Sequence, residues 1–372
     1  MKVTIERAAL LKALAHAQSV VERRNTIPIL ANIRLAADGS TLSLTATDLD
    51  LSIVEVAPAS VGTPGATTAP AHMLYDIARK LPDGAQVELD SGARDGQLTL
   101  RAGRSTFALA SLPVEEFPLL GQTEGGNSFS VAARDLRSLI DRARFAISTE
   151  ETRYYLNGIF LHATENEGVP VLRAVATDGH RLARVEIPLP DGAAGMPSVI
   201  VPRKTVGEVR KLLDDATDDV KVTVSPSKIH FTLGPVELTS KLIDGTFPDY
   251  QRVIPMGNDK TLAVDCQSFR EAVDRVATIS TEKSRAVKLA IDGNTVTLSA
   301  SSADSGSANE ELEVVYGADT MEIGFNARYL LDIAQQIEGD TAELSLADAA
   351  APTIIRDQAD ASALYVLMPM RV

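Results

Sequence analysis

Apolar and polar positions along the chain follow two rhythms. Leu136, Leu139, Ile140, Ala143 and Ile147 recur at intervals of three and four, which lines one face of a helix. Ile33 and Leu35, and beyond them Leu42, Leu44 and Ala46, alternate with polar residues on either side of Asp38-Gly39, which predicts a hairpin. Asp292-Gly293 has the same setting ahead of Val296 and Leu298. Long helical runs are predicted to reach residues 21, 147 and 279, and shorter ones to cover 73–81, 205–213 and 329–337.

The three long runs open alike, at Val3-Thr-Ile-Glu-Arg-Ala-Ala-Leu10, Phe129-Ser-Val-Ala-Ala-Arg-Asp-Leu136 and Leu262-Ala-Val-Asp-Cys-Gln-Ser-Phe269. Other landmarks recur in register. Thr47-Asp48 matches Thr177-Asp178, Phe117-Pro118 matches Phe247-Pro248, and Pro70 and Pro202 each precede a short helix; Asn326 leads into the third. Together they predict a threefold repeat, each copy reading helix, strands, helix, strands. The fold class is α+β, with helices packed on one face of antiparallel sheets. Polar breaks at 121–127 and 257–260 divide the chain into domains 1–121, 128–254 and 259–372.

Charge sharpens this picture. The 372 residues carry 36 basic and 50 acidic side chains, a net of −14. The helical stretches 7–24, 72–80, 134–145, 203–211, 270–288 and 328–338 hold a net +10, which leaves −24 elsewhere. Bulk attraction to nucleic acid is excluded, whereas a single positive face made of helices is not. Arg134, Arg137 and Arg144 are expected opposite the apolar stripe of their helix. The lone Cys266 excludes an internal disulfide, no apolar run is long enough to span a membrane, and no leader is visible. A reducing cytoplasm is expected.

Asp178-Gly179-His180-Arg181 places an acid, a base and a cation within four residues, and a hydrolase would use His180 as a base oriented by Asp178. A metal-dependent version would add Asp48 and Asp50. No nucleophile elbow, phosphate-binding loop or zinc spacing accompanies them. The plainer reading is a tight turn in which Gly179 permits positive φ. A third reading is a repeat scaffold that binds peptides and no DNA.

Several stretches resemble the bacterial β sliding clamps, the beta subunits of DNA polymerase III. They are Pro28-Ile-Leu-Ala-Asn32, Thr45-Ala-Thr-Asp48, Arg153-Tyr-Tyr-Leu-Asn-Gly158, Val175-Ala-Thr-Asp-Gly-His-Arg-Leu182, Val199-Ile-Val-Pro-Arg-Lys204, Thr239-Ser-Lys-Leu-Ile-Asp-Gly-Thr-Phe-Pro-Asp-Tyr250 and Tyr365-Val-Leu-Met-Pro-Met-Arg-Val372. The resemblance spans the whole chain. It implies a head-to-tail homodimer, a ring of six similar domains that encircles double-stranded DNA without reading its sequence. Twelve helices spaced by roughly 9–10 Å would line a hole about 35 Å across. The implied role is non-enzymatic, with no cofactor, metal or membrane. The implied partners are the alpha subunit of DNA polymerase III, the clamp loader, and other polymerases and repair proteins carrying clamp-binding peptides.

The resemblance also implies site residues. A peptide groove would comprise Leu156, Thr177, Gly179, His180, Arg181, Leu182, Pro248, Arg252, Val253, Val366, Met368, Pro369, Met370 and Arg371. Methionine suits such a lining because its thioether adapts to different partners. DNA contacts would come from Arg24, His72, Glu150, Tyr154 and Tyr155, although Glu150 stands where relatives have an amide and His72 where they have a basic residue. The dimer would join Phe107 and Leu109, on a strand flanked by Arg101 and Arg104, to Thr278, Ile279 and a strand near Glu310, Glu311 and Glu313. Charged replacements of Leu109 and Ile279 are expected to give folded monomers.

Overall fold

The computed structural model describes residues 1–121, 125–280 and 286–372. Parts of the break at 121–127 and of the stretch 270–288 lie outside the described residues. Six α-helices are present among the described residues: α1 (Arg7–Val20), α2 (Ala71–Ala78), α3 (Ala133–Arg144), α4 (Arg203–Leu212), α5 (Cys266–Ala277) and α6 (Ala327–Ala334). Side chains begin three of them. The Glu6 carboxylate accepts from the Ala8 and Ala9 amides at 2.8 and 3.1 Å, Asp265 from Ser268, and Asn326 from Arg328 and Tyr329.

Helices α2, α3, α5 and α6 stop two or three residues before their apolar pattern does. Beyond their ends the backbone tightens to bonds three residues apart, as in Leu81→Ala78, Ile147→Arg144, Ile279→Val276 and Ile337→Ala334. Leu81, Ile147 and Ile337 thus stay buried although they lie outside the regular helix. Both expected hairpins form, with Gly39 and Gly293 each at φ 55°.

The chain forms two compact units. One holds Met1–Leu136, Pro190–Pro197 and Lys204–Leu242; the other holds Arg137–Leu189, Ser198–Arg203 and Ile243–Val372. The first contains a five-stranded antiparallel sheet in the order Ser60–Thr63, Lys2–Glu6, Gln86–Asp90, Gln97–Ala102, Ser105–Ala110. It also contains an eight-stranded sheet, Asn127–Ala132, Asp219–Val224, Lys228–Leu233, Val236–Lys241, Leu51–Pro58, Thr41–Thr47, Asn32–Asp38, Gly65–Pro70. Helix α1 packs on Thr41–Thr47, on Leu51–Pro58 and on α2. The second unit is built on one twelve-stranded sheet. Its order is Val199–Pro202, Gly158–Asn166, Val169–Thr177, Arg181–Pro188, Asp360–Leu367, Thr353–Asp357, Thr341–Leu346, Lys260–Asp265, Gly306–Tyr316, Thr295–Ser302, Ala286–Asp292, Met321–Asn326. Helix α5 packs on Thr295–Ser302, Gly306–Tyr316 and α6.

One junction occurs twice. The last strand of the second copy, Val236–Lys241, pairs antiparallel with Leu51–Pro58 of the first. The last strand of the third copy, Asp360–Leu367, pairs in the same way with Arg181–Pro188 of the second. Copies are therefore joined edge to edge, so that backbone hydrogen bonds run unbroken from one to the next. The same pair of edges is left over at the ends of the series: Ser105–Ala110 of the first copy, and the 306–313 portion of Gly306–Tyr316 in the third.

Candidate functional site

The expected groove residues all belong to the second unit. Leu156, Leu182 and Val366 share a packed cluster with Val175, Ile200, Phe247, Tyr250, Ile354 and Leu364. Leu182 and Val366 are partners in the strand pairing, and both are buried. They form a floor rather than an exposed wall. In the strand Asp360–Leu367 every residue from Ala363 to Leu367 is buried, because Leu364 and Val366 enter that cluster on one face while Tyr365 packs against Phe145 at 5.8 Å on the other. Exposure begins at Met368, at 37%, with Pro369 and Met370 half-buried and Arg371 exposed. Val253, at 45%, Pro248 and Arg252 are also exposed. Arg252 and Val253 ride on a short 3-10 turn, Tyr250–Val253, whose first ring is anchored in the cluster.

The Thr177 to Leu182 turn is set by its own side chains. The Thr177 hydroxyl donates to the Arg181 carbonyl at 2.7 Å, and Asp178 Oδ1 accepts from the His180 and Arg181 amides at 2.9 and 3.1 Å. Gly179 sits at φ 89°, and a Cβ there would come within 2.6 Å of the Arg153 guanidinium. His180 is exposed, stacked at 6.1 Å on Tyr329, and its carbonyl accepts from the Met368 amide at 2.9 Å. Arg181 is buried and spends its donors on Asp178, Asp332 and the Phe145 carbonyl, which removes it from the exposed groove surface. The C-terminal end is held too: the Met370 amide donates to the Gly324 carbonyl at 2.7 Å.

The first copy repeats the turn. Asp48 Oδ1 accepts from the Asp50 and Leu51 amides, and its other oxygen takes the Lys204 ammonium. Burial pulls the Lys204 pKa down, but Asp48 and Glu22 more than reverse that and leave it raised. Asp48 and Asp178 are thus occupied as turn caps, and Asp50 is paired with Lys241 at 2.9 Å. Among the described residues no three His, Cys, Asp or Glu side chains are placed to hold a metal ion.

The candidate DNA residues differ in availability. Arg24 is exposed and makes no ion pair among the described residues. Tyr154 is 54% exposed and meets Tyr155 edge-on at 5.7 Å. Glu150 chelates Arg153, whose hydrogen bonds hold its carboxyl below the usual range. His72 uses both ring nitrogens inside its unit, on Gln18 at 2.9 Å and the Val21 carbonyl at 3.0 Å, so it braces the segment before Arg24. Much of the helical positive charge is paired locally: Lys12 with Asp215, Arg144 with Asp141, Lys211 with Glu208 and Arg275 with Glu310. Arg137 does not lie on an open face as expected, since it is half-buried and has interactions of its own.

The free strand edges also depart from the simple reading. Phe107 is half-buried and lines a cavity of about 770 Å³ with Met73, Ile77 and Leu81. Leu109, expected to face a partner, is only 4% exposed and belongs to the core beneath its sheet. Thr278 is exposed and Ile279 half-buried, with Glu311 and Glu313 exposed on the opposite edge. Asp332, Tyr329, Arg153 and Gly324 escaped the sequence reading. Tyr329 and Asp332, three apart on one helix, carried the only local signal.

Known proteins share this arrangement. Family models of the DNA polymerase III beta subunit match the chain in three consecutive stretches: the N-terminal domain at residues 1–121, the central domain at 130–249 and the C-terminal domain at 251–371. The beta sliding clamp of Caulobacter vibrioides is 56% identical over 372 residues, covering all of both chains. That of Escherichia coli is 40% identical over 374, again covering both entirely. A crystal structure of the Caulobacter crescentus clamp with polyethylene glycol bound superposes with a TM-score of 0.98 at 56% identity, covering 100% of this chain and 99% of that one. The Bartonella birtlesii clamp bound to griselimycin gives 0.97 at 49%, with both chains fully covered. The described architecture is three domains of the clamp fold, and the chain belongs to the DNA polymerase III beta subunit family, the beta sliding clamps.

Proposed function

We propose that two copies of this chain close head to tail into a ring, with domains 1–121, 128–254 and 259–372 from each. The chain is a DNA sliding clamp, a non-catalytic subunit of the replication machinery. One observation carries the ring reading. The copies join twice by the same pair of strand edges, and the two edges left over are the complementary halves of a third such junction. A heterologous contact of this kind closes when the rotation allows. Charge supports it, since the exposed Arg104 precedes one edge strand and the exposed Glu311 and Glu313 lie on the other. Unsatisfied edges would otherwise invite indiscriminate pairing.

Within the ring, Arg24, Tyr154 and Tyr155 touch the DNA backbone, and Glu150 tempers the field of Arg153. A clamp must hold DNA without reading it, so phosphate attraction suffices and enclosure supplies retention. The groove takes peptide tails from the polymerase alpha subunit, the clamp loader and other polymerases and repair proteins. Its support is the contrast between a rigid buried floor at Leu156, Leu182 and Val366 and an exposed adaptable rim at Met368, Val253 and His180. Sedimentation equilibrium tests the assembly: the chain should run as a dimer, and a monomer at micromolar concentration overturns the ring.

A further inference from the structure

We infer that Arg181 acts as a latch rather than as a peptide contact, and that Asp332 on α6 is a positioning residue for peptide binding. The inference rests on the groove reading above. Arg181 is 8% exposed, and its guanidinium is committed in three directions. Nε donates to Asp178 Oδ2 at 3.1 Å, Nη1 to Asp332 Oδ2 at 2.5 Å and Nη2 to the Phe145 carbonyl at 2.7 Å. The plane also lies 4.2 Å from the Tyr329 ring and 5.0 Å from that of Phe145. A planar fork held in this way has a fixed position, with three of its five donors engaged and the rest shielded by burial from a visiting peptide.

What the latch fixes is the groove. Asp178 holds the turn through Oδ1 and Arg181 through Oδ2, so turn and cation move together. Asp332 ties that unit to α6, which also carries Tyr329 beneath the exposed His180 ring. The His180 carbonyl in turn receives the Met368 amide. Moving α6 away from the turn would therefore shift two exposed members of the rim. The first copy repeats the design with the charges exchanged between elements. Asp48 caps the equivalent turn, and the cation, Lys204, comes from α4, the equivalent helix of the next copy. Two independent junctions thus tie turn to helix by an ion pair, which argues for a built feature. Loss of the Asp332 carboxylate would leave a buried guanidinium one anion short and the turn free to shift.

A double-mutant cycle on the full-length dimer tests this, using a fluorescent peptide copied from a polymerase tail. Asp332→Ala and Arg181→Ala should each weaken binding by on the order of tenfold, the double variant no further, and Asp332→Glu should recover most of the loss. Asp332→Asn, which keeps the shape, serves as the second variant should the alanine form fail to fold, and solution mass and melting temperature are recorded for each. Wild-type affinity in the Asp332 variants alongside a loss in Arg181→Ala overturns the latch, because Arg181 then touches the peptide directly. Additive losses overturn it as well. A wild-type dimer that binds no tail peptide overturns the groove reading and takes the positioning role with it.

Discussion

Tyr250 carries two environments on one side chain. Its ring belongs to the packed cluster under the proposed groove, while its hydroxyl accepts from Arg173 Nη1 at 2.8 Å and lies 3.1 Å from His162 Nε2. Arg173 Nε is satisfied by the buried Glu186 at 2.7 Å. With one lone pair engaged by Arg173, the phenol proton remains available to His162 Nε2, which suits a neutral ring. Burial first, and then the Arg173 charge, push the His162 pKa down to about 4. Because the unfolded ring titrates near 6.5 or so, the unfolded chain binds more protons between those values. Stability should therefore fall as pH drops from about 6.5 towards 4. Melting temperatures at the two ends of that window should differ by less in His162→Gln than in the wild type, and equal differences would contradict the assignment. Arg24 makes a separate prediction. Its replacement by Ala should reduce the salt slope of DNA binding by about one counterion, with the same effect on every DNA sequence.

Helices and hairpins were legible because their signals are local. Asp38-Gly39 and Asp292-Gly293 needed only two residues to announce a turn, and Glu6, Asp265 and Asn326 cap helices from one position away. Edges and latches were not legible, since nothing near Arg181 announces a partner 151 residues away, and alternation puts Phe107 and Leu109 on one face without saying how deep each lies. That difference changes the dimer experiment. Leu109→Ala should cost about 2–5 kcal/mol of domain stability, as core truncations do, and a charge there should unfold the five-stranded sheet. Phe107→Glu is the cleaner probe and should give a folded monomer with a melting temperature near that of other monomeric forms. The C-terminal end carries a related lesson. A Cβ on Gly324 would strike Val372 and come within 2.8 Å of the Met370 carbonyl. Gly324→Ala should therefore release the tail and weaken peptide binding while leaving solution mass unchanged. Deleting 370–372 removes the same bridge, so loss of stability in that truncation would be no evidence about the groove.

At the scale of the whole molecule, a net charge of −14 limits how much of the retention on DNA can come from bulk attraction. Local ion pairs neutralise many helical cations, so the residual attraction is modest. A protein held by charge alone would leave DNA as salt rises, steeply, in proportion to the phosphates it neutralises. A closed ring behaves differently. Once loaded on a nicked circle it should remain bound at salt concentrations that abolish direct binding to short duplexes. Cutting the circle once should release it, because a linear molecule offers free ends and sliding requires no contact to break. Phe107→Glu, as a monomer, should show neither retention nor release on cutting. The measurement is gel filtration of the loaded circle before and after linearisation, with salt as the second variable. Retention that survives cutting would mean that contacts rather than topology hold the protein, and retention that tracks salt on the intact circle would mean that the ring never closed.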